Sequence, residues 1–299
     1  MRKILAFLLA MICLLTMVAC NQTEEPAESS KETTTAGKVD PATCPHTELE
    51  SDGSCTQVPR CKACHRPIGS APGHDWQAGS CGRCGKADPL GEKEEGVVRI
   101  ICIGDSITRG GYWQNRMQGN LGDGYEVIGL GVNGATGLAE GLDQGQPWAY
   151  ILHDEYKESL RYNPDAVVIM LGTNDTKGPN YNKIKADGGA QYKADMIALI
   201  NSYKALGSEP HIFLALPPTI YRAWTASGIN NEALDELLLQ LLNEIAAETG
   251  ATVIDTHTAT ADQAALFPDG VHPNADGKAV IAKTVADAVA AYFAPTAEK

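Results

Sequence analysis

Asp269 and His272 stand three residues apart in Asp269-Gly270-Val271-His272-Pro273. In a helical turn, positions i and i+3 share a face. The carboxylate can then hold one imidazole nitrogen and fix the tautomer, leaving the other nitrogen as a general base. A serine hydroxyl is too weak a nucleophile at neutral pH without such a base beside it. Ser106 lies far upstream, in Gly104-Asp105-Ser106-Ile107-Thr108. Read alone, Asp269 and His272 equally fit a loop-bracing pair ahead of a helix. A rival base exists in Asp255-Thr256-His257, whose outer residues share a face in extended chain. His153 and His211 are assigned no role.

A second group of chemically active residues precedes these. Of the nine Cys, six fall between positions 44 and 84. Cys61-x-x-Cys64 and Cys81-x-x-Cys84 have the spacing of a four-thiolate zinc ribbon, in which each pair forms a tight knuckle. A weak repeat is visible: His46 precedes Cys55 and the first pair, and His74-Asp75-Trp76 precedes the second. All six Cys, Cys55 among them, together with His46 and His74 suffice for two tetrahedral sites. The alternative is a disulfide framework, since the segment is expected to be exported. A segment this short cannot hold a hydrophobic core by itself, so one of the two staples is expected. Either role is structural, because a closed four-ligand site leaves no position for substrate.

The chain that positions these residues has 299 of them, with 20 % charged and 43 % hydrophobic, a globular composition. Its net charge of −13 and pI near 5.0 argue against nucleic acid as a partner, which needs a basic surface. Met1-Arg2-Lys3 followed by the apolar run Ile4 to Val18 has the pattern of a secretory signal, too short for a membrane span. Met17-Val18-Ala19-Cys20 resembles a bacterial lipobox. That resemblance implies removal of residues 1–19, lipidation of Cys20 and an exported chain anchored to the bacterial membrane. Residues 20–43 hold no aromatic and few large aliphatic side chains, and are expected to form a disordered tether. The Cys/His module is placed at 44–90.

From 96 to 295 the pattern is regular. Short β-branched runs begin at Val97, Tyr125, Ala166, His211 and Ala251. Helical periods lie between them at Asp154 to Tyr162, Gln191 to Leu206, Asn231 to Thr249 and Asn274 to Tyr292. Alternating strands and helices predict a three-layer α/β/α sandwich around a five-stranded parallel sheet. The runs are continuous rather than alternating, as expected of strands buried on both faces. Cys102, inside the first run, reads as a small core residue. Sites in such sheets lie at the carboxyl ends of strands. Four polar or Gly-rich blocks sit near those ends: Gly104 to Thr108, Val132 to Thr136, Gly172 to Asp175, and Asp269 to Pro273.

Together, in this order and spacing, the four blocks resemble the SGNH hydrolases, also called the GDSL family. The resemblance covers about residues 97–295 and implies a flavodoxin-like sandwich and a serine esterase. It assigns Ser106 as nucleophile, with His272 and Asp269 completing the triad. It implies an oxyanion hole from the Ser106 and Gly134 backbone N–H groups and the Asn174 side-chain amide. Asp105 and Asp175 are expected to brace loops. Serine chemistry of this kind implies no cofactor. Within the family, the block around Asn133-Gly134, Pro147-Trp148 and the Phe267 to Pro273 stretch look most like carbohydrate O-acetylesterases. An acylated carbohydrate is therefore the expected substrate. A lysophospholipase or thioesterase-like lipid esterase shares all four blocks, and a glycan-binding protein on a vestigial hydrolase fold is a third class. Trp113, Trp148, Tyr150, Tyr221 and Trp224 are read either as a sugar-stacking platform or as packing under loops. Separately, Gly73-His74-Asp75-Trp76 with Cys81 to Gly85 is similar to short Cys/His repeats of bacterial surface proteins, which implies a module and little about its role.

Overall fold

The computed structural model describes residues 43–50, 55, 58–69, 72–77, 80–109, 113–222 and 228–294. The signal segment, Cys20, nearly all of the tether and Trp224 lie outside the described residues. Five strands form one sheet: β1 (Val98–Gly104), β2 (Tyr125–Gly131), β3 (Ala166–Met170), β4 (His211–Ala215) and β5 (Thr252–Ile254). Their order is β5-β4-β3-β1-β2, and every pairing is parallel. The helices are α1 (Ser106–Arg109), α2 (Trp113–Leu121), α3 (Asp154–Arg161), α4 (Gly178–Ala186), α5 (Ala190–Lys204), α6 (Asn231–Ala233), α7 (Leu239–Thr249), α8 (Thr256–Ala259) and α9 (Ala275–Phe293).

The expected sandwich is present, and side-chain alternation explains it. Ile101 and Ile103 of β1, Val167 and Ile169 of β3, and Ile212 and Leu214 of β4 face α5 and α7. Ile100 and Cys102, Val168 and Met170, and Phe213 and Ala215 face α2 and α9. Both sets are buried, so the cores of these three inner strands read as apolar runs. β1 lies between β2 and β3, so the chain reverses its direction of travel there. A crevice opens at such a switch point, outside the carboxyl ends of the two strands concerned. Ser106 follows β1 and Asn174 follows β3.

Two details differ from expectation. The helix foreseen over 231–249 opens as α6, passes through a π-helix at Leu234–Leu238, and only then continues as α7. Neither α2 nor α4 is foreseen in the sequence. α2 contains Asn115, Gly119 and Asn120, poor helix formers, yet it buries Trp113 and Met117 against the sheet. Tertiary burial there outweighs propensity.

The segment expected as one 44–90 module is divided between two compact units. Among the described residues, 43–50 and 60–68 form one unit, and the rest, including Cys55, form the other. In the first, Leu49–Glu50 pairs antiparallel with Arg60–Cys61. In the second, Trp76–Gln77 pairs the same way with Ser80–Cys81. The stretch after the second hairpin is fastened to the sheet. Arg161 donates to buried Asp88 through Nε (2.7 Å) and Nη2 (3.1 Å). Buried Arg99 donates to the carbonyls of Leu90 (2.8 Å) and Tyr162 (2.7 Å) and to the Glu126 carboxylate (2.6 Å).

Phe213 of β4 is fully buried, whereas Leu152 is 52 % exposed. Phe213→Ala should cost about 3–5 kcal/mol in urea unfolding, and Leu152→Ala about 0.5 kcal/mol or less.

Candidate active site

The site is built on three loops that leave strand ends and one that precedes α9. Ser106 is the first residue of α1, directly after β1. Its Oγ lies 2.9 Å from His272 Nε2. His272 Nδ1 lies 2.7 Å from Asp269 Oδ2. The second oxygen of Asp269 accepts the backbone N–H groups of Val271 (2.8 Å) and His272 (2.7 Å). That folds residues 269–272 into a turn stiffened by its own carboxylate. Buried Val271 anchors the turn, and Asn274 caps α9 by accepting from the Asp276 and Gly277 N–H groups, both at 3.0 Å.

Burial raises the Asp269 carboxyl, but the N–H of His272, its imidazole and the N–H of Val271 outweigh that and hold it below the ordinary carboxylate range. It is therefore an acceptor only. The imidazole must carry its proton on Nδ1, which leaves the Nε2 lone pair to receive the Ser106 O–H. The i, i+3 pair and the distant serine thus meet as one relay. The side chains of His272 and Asp269 are 35 % and 36 % exposed, so the relay is open to solvent and substrate.

Asn174 is buried, and its amide nitrogen donates to Asp105 Oδ2 (3.2 Å) and to the Ala135 carbonyl (3.1 Å). One side chain therefore joins the loops after β1, β2 and β3. Both amide hydrogens already have acceptors, so donation to a further oxygen requires sharing or releasing one. Asp105 also accepts the Ile107 N–H at 2.9 Å. Asp175 accepts the N–H groups of Gly137 (3.0 Å) and Leu138 (2.9 Å). Burial pushes both carboxyls up to about 6, against the pull of these donors. Both act on loops, as expected.

Gly134 has φ of +80°, where a side chain is strained, and a Cβ there would stand 2.7 Å from Asp143 Oδ2. Asp143 is ion-paired with the buried Lys177. This pair behind Gly134 is missed in the sequence; its only signal is Lys177 following Thr173-Asn174-Asp175-Thr176.

Other expectations are corrected. His257 is not a rival base: its Nδ1 donates to the Pro217 carbonyl (3.0 Å) and its Nε2 faces Asp235 (3.4 Å). Asp255 instead caps α8 by accepting the Thr258 N–H. A platform of five aromatics is not formed. Trp113 and Tyr150 are buried in the core, and the Tyr150 hydroxyl donates to the Leu130 carbonyl. The Tyr221 hydroxyl donates to the Thr260 carbonyl. Among the described aromatics of that set, Trp148 lies beside the site, its Nε1 donating to the Asn133 carbonyl at 2.7 Å. The four Cys of the two C-x-x-C pairs do not share one site either. Cys61 and Cys64 gather with Cys44 and His46, while Cys81 and Cys84 gather with Cys55 and His74. Cys44 is a candidate ligand not singled out from sequence, although Cys44-Pro45-His46 offers two ligand types side by side.

Residues 102–280 match the GDSL-like lipase/acylhydrolase family, which is more than half of the chain. The chain belongs to that family. The matched region is thus an acylhydrolase-family domain of the GDSL type. An acetylxylan esterase of Xylanibacter ruminicola is 30 % identical to the chain over 224 residues, 66 % of this chain and 44 % of that protein. The chain thus spans under half of that relative's length. A carbohydrate acetylesterase from Sinorhizobium meliloti has the same fold, with a TM-score of 0.52 and 21 % identity over 66 % of this chain and all of that one. An aryl esterase of M. smegmatis aligns with a TM-score of 0.52 and 19 % identity, over 65 % of this chain and 99 % of that one.

Asp175 holds its proton more tightly folded than unfolded, since its carboxyl rises to about 6 from an ordinary value near 3.8. The stability it contributes is full below about pH 4 and is lost as pH rises through about 6. The stability of the wild type minus that of Asp175→Asn should therefore fall between pH 4 and pH 6. Urea unfolding of both at a series of pH values checks this; a constant difference would contradict it.

Proposed function

We propose that this GDSL protein is an exported, lipid-anchored serine esterase that removes O-acyl groups, chiefly acetyl, from carbohydrates. The observation that carries the reading is the continuous relay from Ser106 Oγ through His272 to Asp269. The relative that acts on acetylated xylan supports the substrate class. The lipobox-like Met17 to Cys20 supports the anchor.

In this mechanism Ser106 Oγ attacks the ester carbonyl carbon while His272 Nε2 takes the hydroxyl proton. The negative charge passes to the carbonyl oxygen, where the Ser106 and Gly134 N–H groups and the Asn174 amide stabilise it. Asn174 turns one hydrogen from its long bonds with Asp105 and Ala135 toward that oxygen. Such bonds are often loose before substrate binds and redistribute in the transition state. Collapse breaks the ester C–O bond, and His272 returns its proton to the departing sugar hydroxyl. Water then attacks the acyl-serine, His272 again takes and returns the proton, and acetate leaves. Asp269 stays ionised and stabilises the imidazolium throughout. The Asp143–Lys177 pair and Trp148 hold the Gly134 loop in place.

Hydrolysis of nitrophenyl esters from acetyl to decanoyl, and acetate release from acetylated xylan, test the reading. Activity should be highest on acetyl. Ser106→Ala and His272→Ala should each lower kcat by at least about 10³-fold. Asn174→Ala should lower it by about 10²–10³. A preference for long chains would move the substrate to lipids. No hydrolysis by folded protein that still grips polysaccharide would make it a binding protein. Cys20→Ser should release the chain from the membrane fraction of cells.

A further inference from the structure

We propose that the Cys/His segment binds two zinc ions, one on Cys44, His46, Cys61 and Cys64, the other on Cys55, His74, Cys81 and Cys84. In each set the ligand atoms all lie within 4.8 Å of one another. The distances are those of a tetrahedron's edges. Zinc–sulfur bonds near 2.3 Å and zinc–nitrogen bonds near 2.0–2.1 Å give edges of about 3.8 Å between sulfurs and about 3.6 Å from sulfur to nitrogen. In the first set Cys44 Sγ to Cys61 Sγ is 3.5 Å, and Cys64 Sγ to His46 Nδ1 is 3.5 Å. In the second, Cys55 Sγ to Cys81 Sγ is 3.6 Å, and Cys84 Sγ to His74 Nδ1 is 3.5 Å. A disulfide needs sulfurs about 2.05 Å apart. Each set also holds three cysteines, so one disulfide within a set would leave a third thiol over.

The backbone is arranged for the same purpose twice. The Cys61 N–H donates to the Arg66 carbonyl (2.9 Å) and the His65 N–H to the Cys61 carbonyl (2.8 Å). The Cys81 N–H donates to the Lys86 carbonyl and the Gly85 N–H to the Cys81 carbonyl, both at 2.8 Å. The residue after each C-x-x-C has positive φ, +58° at His65 and +69° at Gly85. Each turn therefore presents two sulfurs to one point. The Asp75 N–H also donates to Cys81 Sγ (3.3 Å), a contact that stabilises a thiolate.

Three thiolates and one imidazole suit zinc, and four protein ligands close its shell, so both ions are structural. As each Zn²⁺ binds, three thiols release their protons, leaving the site with one net negative charge. The two sets are interleaved along the chain: Cys55 of the second lies between His46 and Cys61 of the first. The second ion is also tied to the catalytic domain. The His74 ring stacks on Trp76 (4.4 Å between centroids), Arg161 of α3 lies 5.3 Å over Trp76, and Arg161 is held by Asp88.

The test is zinc content of the full chain, purified in detergent, saturated with zinc and dialysed. Two ions per chain are expected, and one each in Cys44→Ser and in Cys55→Ser. Any other wild-type stoichiometry overturns the proposal. One ion unaffected by either substitution would restore a single four-thiolate ribbon. No zinc, with the six cysteines resistant to alkylation after denaturation, would establish disulfides. Zinc X-ray absorption on the wild type needs no variant to fold. It should give three sulfurs and one nitrogen per ion, and a shell of four sulfurs would overturn the proposal. None of these readouts depends on the esterase reading.

Discussion

Two buried carboxylates hold the catalytic end of this protein together. Asp105 and Asp175 are essentially inaccessible to water, and neither forms an ion pair in the contacts described above. They are satisfied by N–H groups instead: Ile107 and the Asn174 amide for Asp105, Gly137 and Leu138 for Asp175. A buried carboxylate without such donors would cost several kcal/mol. The loops must therefore adopt the one arrangement that brings their N–H groups to these oxygens. Asn174 carries the constraint further, because it also binds Ala135. Asn180 extends it again, donating to the Asn174 and Leu142 carbonyls while accepting the Leu142 N–H. These rim loops are fixed by hydrogen bonds to buried side chains together with the apolar packing of Val132, Ala135, Leu138 and Val271.

The sheet supplies the frame in which that constraint is useful. Parallel strands bring all their carboxyl ends to one rim, and the reversal at β1 opens a crevice there. Ser106 and Asn174 arrive on neighbouring strands, so their relative position is set by the β1–β3 ladder. His272 comes from the far end of the chain. It reaches Ser106 because α9 packs beside α2 against the same face of the sheet, and the turn ahead of α9 is locked by Asp269. Ser106 and His272 are thus carried by elements that share one hydrophobic layer.

The amino-terminal segment is stabilised by other means. It has few large side chains to bury, and its described residues gather around sulfur and imidazole. The second Cys/His set is joined to the catalytic domain through an aromatic ring, a guanidinium and a buried carboxylate in series.

Much was legible in the residues alone. Strand positions followed from apolar runs, because burial on both faces leaves no polar alternation to confuse them. The relay residues were legible because the four blocks stand near strand ends in family order, and because a carboxylate three residues before a histidine can hold it. What the sequence could not decide were choices between equivalent residues. Asp255 and His257 have chemistry as suitable as Asp269 and His272; only the fold turns His257 toward Pro217 and Asp235. Trp113 has a ring as suited to sugar as that of Trp148, yet one is in the core and the other beside the site. Six cysteines and two histidines could be grouped in many ways, and spacing did not decide between one four-thiolate ribbon and two mixed sets; the fold gathers two sets. α2 was hidden because its helix is stabilised by the sheet beneath it rather than by its own residues. The physical reason is common to all four. Local pattern encodes local geometry and burial periodicity, whereas partner choice depends on which distant groups the packed layers bring within hydrogen-bonding or ligand distance.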